Sequence, residues 1–137
     1  MIKIKRIYDT PDENDGCRIL VDRLWPRGLS RDKANIDLWL KEIAPGDELR
    51  KWFSHDVEKF DEFRKRYKQE LRNKPELVAQ IRGLEKKHKT ITLLFSARDV
   101  SHNNSIVLRN YIKETLKPPV LIQQLSCMVY INQYDWL

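Results

Sequence analysis

Three polar clusters in this chain have the makings of sites that hold or transform anions. The first is Val21-Asp22-Arg23-Leu24-Trp25-Pro26-Arg27-Gly28, in which two arginines bracket an aromatic and a proline. A guanidinium offers paired N–H donors to a phosphate or carboxylate, and a stiff Trp-Pro turn would hold Arg23 and Arg27 at a fixed separation. The plainer alternative has Arg23 paired with a neighbouring carboxylate and Trp25 filling the core. The second cluster is Phe95-Ser96-Ala97-Arg98-Asp99, followed by Ser101-His102-Asn103-Asn104. A strand, a loop of small polar residues and a helix start form a ready anion site, because unpaired backbone N–H groups and the helix dipole face the loop.

Ser96 could donate a hydrogen bond there or, beside a base, act as a nucleophile. His102 is the one candidate base in the segment, and it could equally cap the helix, since Ser, Asp and Asn are what helix starts prefer. No nucleophile-base-acid triad is legible. The third cluster runs from Glu48 to Asp56 and ends in His55-Asp56. An imidazole there could titrate near neutrality, but moving a proton needs a positioned substrate, and a satisfied surface histidine is the simpler reading. The three histidines and two cysteines have no metal-ligand spacing, so neither a metal nor a cofactor is expected. Cys17 and Cys127 read as free thiols, not as a disulfide.

These clusters must be positioned by the elements between them. Ile2 and Ile4 alternate with lysines up to Tyr8, and Arg18 to Leu24 is a second apolar run, so both read as strands. They could be neighbours across the turn-rich loop Thr10 to Gly16. Ile36, Leu38 and Leu40 alternate like a third strand that ends near Pro45, although one face of a helix would suit Ile36, Trp39, Leu40 and Ile43 as well.

Leu49, Trp52 and Phe53 mark a short helix that stops near Ser54-His55. Asp56 offers a cap to a longer one carrying Phe60, Phe63, Tyr67 and Leu71. Pro75 suits a first helical position, ahead of Leu77, Val78, Ile81 and Leu84. Thr90 to Phe95 is a β-branched apolar run of the kind buried on both faces of a sheet, and predicts a central strand. A last helix, capped by Asp99 or Ser101, follows with Leu108, Tyr111 and Ile112 inward. This order of elements predicts a small three-layer α/β domain with a short, largely parallel sheet flanked by helices.

At 137 residues, 41% hydrophobic and 34% charged, the chain can bury a core and lies outside the disordered class. No run suits a membrane-spanning helix and no signal peptide is visible, so a cytoplasmic protein without a membrane partner is expected. The net charge of +6 attracts anions in general, but many basic residues alternate with acids at helical spacing, as between Glu58 and Arg72, and so describe a solvated face.

The segments KRIYD (5–9), VDRLWPRG (21–28), APGDELRKWF (44–53) and LLFSARD (93–99) with HNN (102–104) resemble the YeaO-like family of small bacterial proteins, a domain of unknown function. The resemblance covers residues 1–116, in order. It implies a three-layer α/β fold and places Arg23, Trp25, Pro26, Arg27, Trp52, Ser96, Ala97 and Asn103 at positions like the family's signature, without catalytic roles. Residues 117–137 form a C-terminal extension whose possible roles, as a final strand, a cover or an association segment, stay open.

The combined expectation is a strand-end pocket for a small phosphate- or carboxylate-bearing ligand. Arg23 and Arg27 would clamp the anion, Trp25 or Trp52 would form an apolar wall, and the Ser96 loop, with Ala97 and Asn103, would supply donors. Whether Ser96 or His102 does chemistry there is left open. The alternative partner is nucleic acid, bound through the basic surface.

Overall fold

The computed structural model of the chain describes residues 1–116. Its centre is a parallel sheet of β1 (Ile2–Arg6), β2 (Cys17–Leu20), β3 (Leu38–Trp39) and β4 (Ile91–Phe95), in the order β1-β4-β2-β3. The apolar run predicted to be central is indeed interior, and every residue of β4 is buried. It lies between β1 and β2, so those two are not neighbours, contrary to the expectation. The most apolar strand takes the inner place, while β1, with lysines at alternate positions, suits an edge. At the other edge only Leu38 and Trp39 pair with β2, and the chain then winds into a 3-10 turn, Lys41–Ile43, where a longer strand was expected.

Between β2 and β3 lies the one-turn helix α1 (Arg31–Ala34). Three helices join β3 to β4: α2 (Asp47–Phe53), α3 (Phe60–Arg72) and α4 (Pro75–His88). Pro75 sits in the first turn of α4, where its missing N–H has no partner to lose. Asp56 caps a 3-10 turn, Val57–Lys59, that runs into α3 and does not cap α3 itself. The helix after β4, α5 (Asn104–Leu116), completes the set.

The larger core lies on the face formed by Ile2, Cys17, Ile19, Val21, Ile91 and Leu93. There Phe53, Phe63, Tyr67, Leu71, Ile81, Leu108 and Ile112 pack down from α2 to α5. Leu20 and Leu94 point to the opposite face, which is covered by α1 and loop residues including Trp25, Leu29, Ile36 and Trp39. The third layer is therefore a thin one built from short elements.

A buried ionic anchor holds that thin layer to the sheet. Asp15 accepts from Lys5 and Arg18, and Arg18 also donates to the carbonyls of Ala34 and Asn35 at the end of α1. Burial pushes the Asp15 carboxyl up, but a backbone N–H from Asp12 and the two cations outweigh it and hold the pKa below its ordinary value. Beside it Gly16 adopts φ +67°, and a β-carbon there would lie 2.1 Å from the Thr90 carbonyl oxygen. Only glycine allows β2 to start this close to β4. Cys17 is buried and free, whereas Cys127 and the extension from 117 lie outside the described residues. Among the described residues no helix is long and apolar enough to cross a membrane.

Candidate functional site

From β2 the chain turns to α1 on one face of the sheet, and from neighbouring β4 it turns to α5 on the other. Where successive connections part in this way, the loops at the C-terminal ends of the strands open a crevice, and in open α/β sheets ligands bind there. Asp22 and Ser96 face each other at that point. The Ser96 backbone N–H and its hydroxyl both donate to Asp22 Oδ2, each at 2.8 Å. Asn104, the first residue of α5, donates through its side-chain amide to Asp22 Oδ1 at 3.2 Å and to the Val21 carbonyl at 3.0 Å. The loop at 96–104 thus meets a carboxylate of the protein itself, Asp22, at the end of the neighbouring strand.

Burial raises the Asp22 pKa above its ordinary value, against the hydrogen bonds from Ser96 and Asn104 and the field of His55, which favour the charged form. His55 stands at φ +60° directly after Ser54 at +45°, two left-handed non-glycine residues in succession where α2 ends. Such backbone is uncommon and persists only where its surroundings impose it. Arg6, at the end of β1, fixes the loop from the other side by donating to the carbonyls of Ala97 and Ser96 at 2.9 and 3.3 Å.

The residues singled out in the sequence divide between this crevice and its surroundings. Ser96 and Ala97 are in it. Asn103 stands one residue before α5 and caps it, accepting from the Ile106 N–H and the Ser105 hydroxyl. The expected caps, Asp99 and Ser101, are displaced from that role: Asp99 accepts from the N–H groups of Ser101 and His102 and shapes the turn before the helix. His102 pairs through Nδ1 with Asp99 at 3.0 Å and meets Phe60 edge-on.

Arg23 donates to the Ala44 carbonyl at 3.1 Å and to Glu42 at 3.3 Å, and its buried Nε has no partner among the described residues. Arg27 is exposed, and its carbonyl accepts from the Tyr8 hydroxyl. Trp25 and Trp52 lie on opposite faces of the sheet, so the two cannot wall one pocket. Trp52 packs beneath Arg66 and Lys59. The crevice members that the sequence reading passed over are Asp22 and Asn104. The one signal available was a carboxylate at the end of an apolar strand, immediately before the first arginine.

Two open hollows lie away from this cluster. One, of about 460 Å³, is bordered by Tyr8, Pro11, Leu29 and Lys33, and the other, of about 480 Å³, by Trp52, Arg66 and Asn73. Neither is lined by Asp22, Ser96 or Asn104. Among the described residues no group of three His, Cys, Asp or Glu side chains converges as a metal site.

A family profile matches residues 1–130, and its description is the inactive DUF488-N3 subclade. The chain belongs to this family. A DUF488-N3 chain in this sense is also similar to the uncharacterised protein YeaO of Escherichia coli strain K12, 40% identical over 112 residues, which cover 82% of this chain and 96% of that protein. Uncharacterised proteins of Mycobacterium tuberculosis and Mycobacterium bovis are 38% identical over 107 residues, covering 78% of this chain and 89% of each. No solved structure matches. The Asp22–Ser96 contact of this DUF488-N3 chain falls well inside the matched region.

Proposed function

We propose that this protein is a cytoplasmic binder of a small phosphate- or carboxylate-bearing molecule, which it holds between the β2 and β4 loops without transforming it. The observation that carries the reading is the place of the Asp22–Ser96 pair, at the end of adjacent parallel strands whose connections leave on opposite faces. Ser96 and Asn104 are donors already aimed at an anion, and Arg6 braces the loop that carries Ser96. The net charge of +6 supports attraction of an anionic ligand.

A ligand oxygen entering this crevice competes with Asp22 for the donors. Two adjacent negative charges are mutually unfavourable, so binding is strongest when Asp22 takes up a proton, for which its raised pKa already prepares it. The family description, that of an inactive subclade, favours binding over catalysis, as does the engagement of His102 by Asp99.

The test is differential scanning fluorimetry with sulfate, inorganic phosphate, dicarboxylates and mononucleotides. A ligand that binds only the folded state raises the melting temperature. One class should do so in the wild type and not in Asn104→Ala. The absence of any such shift removes the proposal.

A further inference from the structure

The face of the sheet covered by the thin layer carries a second feature that the crevice does not use. Trp25 and Trp39 are both partly exposed there, edge to face with ring centroids 5.4 Å apart. Each is held at its polar end: Trp25 Nε1 donates to the Leu29 carbonyl and Trp39 Nε1 to the Asp22 carbonyl. The rings are thus rigid, with defined faces. The Arg31 guanidinium lies 4.5 Å from the centroid of Trp25 and the Lys41 ammonium 5.1 Å from that of Trp39.

Charge on this segment is one-sided. Residues 23–41 contain five basic residues against Asp32 and Asp37, and Asp37 is partly engaged by the Arg18 backbone N–H. Arg27, Arg31, Lys33 and Lys41 are all exposed and, among the described residues, enter no ion pair. The basic residues of α3 behave differently: Arg64 and Arg66 pair with Asp61 and Glu62 on their own helix. Unpaired cations around fixed, partly open indoles are what a single-stranded nucleic acid requires, since bases stack on aromatic faces and phosphates take the cations.

We propose that the Trp25–Trp39 face is a docking surface for single-stranded nucleic acid. Arg31 and Lys41 cover the indoles in the free protein and are long enough to swing aside, so that a base replaces each cation on the ring while the displaced cation meets a phosphate. This exchanges an exposed cation–π contact for a base stack and a phosphate contact together. A duplex keeps its bases paired and stacked on one another, so it gains the phosphate contacts only.

The experiment is titration of the full chain with a short single-stranded oligothymidylate and with a duplex of the same length. Intrinsic tryptophan fluorescence and oligonucleotide anisotropy are followed from about 50 to about 200 mM salt. The single strand should quench the indoles and bind more tightly than the duplex. In the double variant Arg31→Ala/Lys41→Ala, affinity should fall about tenfold or more, and the slope of log affinity against log salt should become shallower by about 1.4. Both side chains are exposed and circular dichroism will show the variant folded. Lys65→Ala/Lys86→Ala, on exposed positions of α3 and α4 on the other side of the sheet, should change neither quantity. Equal affinity of the wild type and the Arg31/Lys41 variant overturns the proposal. So does a duplex bound as tightly as the single strand, or the absence of binding at the lower salt.

Discussion

Ser96 gives both its backbone N–H and its hydroxyl to a single oxygen of Asp22, at 2.8 Å each, and so joins the ends of β2 and β4. Parallel neighbours are not connected at these ends by a hairpin, and here the link is made by side chain instead. The same contact stores an electrostatic cost, since burial disfavours the carboxylate that accepts these bonds. Groups kept at a cost to stability are characteristic of functional sites.

That cost has a sign that can be measured. A carboxyl whose folded pKa lies above its unfolded value contributes stability that is fully present below the unfolded pKa and is lost as pH rises through the folded one. Asp22→Asn removes this titration. Urea unfolding across the range from acid to neutral pH should therefore show the variant gaining on the wild type as pH rises, and a constant difference would contradict the account.

Removal of the hydroxyl in Ser96→Ala leaves Asp22 with one donor fewer on Oδ2. A hydrogen bond to a charged group contributes about 1.5–3 kcal/mol, so chemical denaturation at neutral pH should show a loss in that range. The Asp22 carboxyl should also titrate at a still higher pH, which carboxyl-resolved NMR can follow.

Asp15 has the opposite linkage. Its side chain and that of Arg18 are 6% and 4% exposed, so the pair is buried, and its removal leaves an uncompensated cation. Asp15→Ala should cost about 3–5 kcal/mol at neutral pH. Because the folded pKa of Asp15 is depressed, its contribution is present above the unfolded pKa and fades as pH falls through the folded one. The gap between variant and wild type should accordingly narrow in acid.

Gly16→Ala tests the start of β2. Its β-carbon would meet the Thr90 carbonyl oxygen, and its backbone lies in a region that only glycine tolerates without strain. A loss of about 2–3 kcal/mol or more is expected, with amide exchange accelerated at Cys17, whose N–H bonds to the same carbonyl. A neutral substitution would mean that the strand start can shift.

The fold class was legible in the chain because its strongest signals are periodic ones. Phe60, Phe63, Tyr67 and Leu71 recur at helical spacing, and the run ending at Phe95 is apolar at nearly every position. Strand order was not, because parallel pairing is decided by crossovers through distant helices and not by the loop from Tyr8 to Gly16. The Ser96 loop was found for the same reason that its cap was misplaced. Asp99, Ser101 and Asn103 are all good caps, and the choice among them follows from Asn104 being held by the end of β2, a contact spanning most of the chain. Asp22 lies within the Arg18–Leu24 run, and its partners come from residues 96 and 104, which only the pairing of β4 with β2 brings beside it.

The central claim is that Asp22 yields its donors to a small anion, and sulfate tests it most directly because its own charge is constant between pH 5 and neutrality. Isothermal titration of the wild type and of Ser96→Ala, at both ends of that range, separates the alternatives. The account predicts tighter binding to the wild type at the lower pH, with proton uptake, and weakened binding to the variant. Sulfate binding that is indifferent to pH and unchanged in Ser96→Ala, or no binding at either pH, would contradict it.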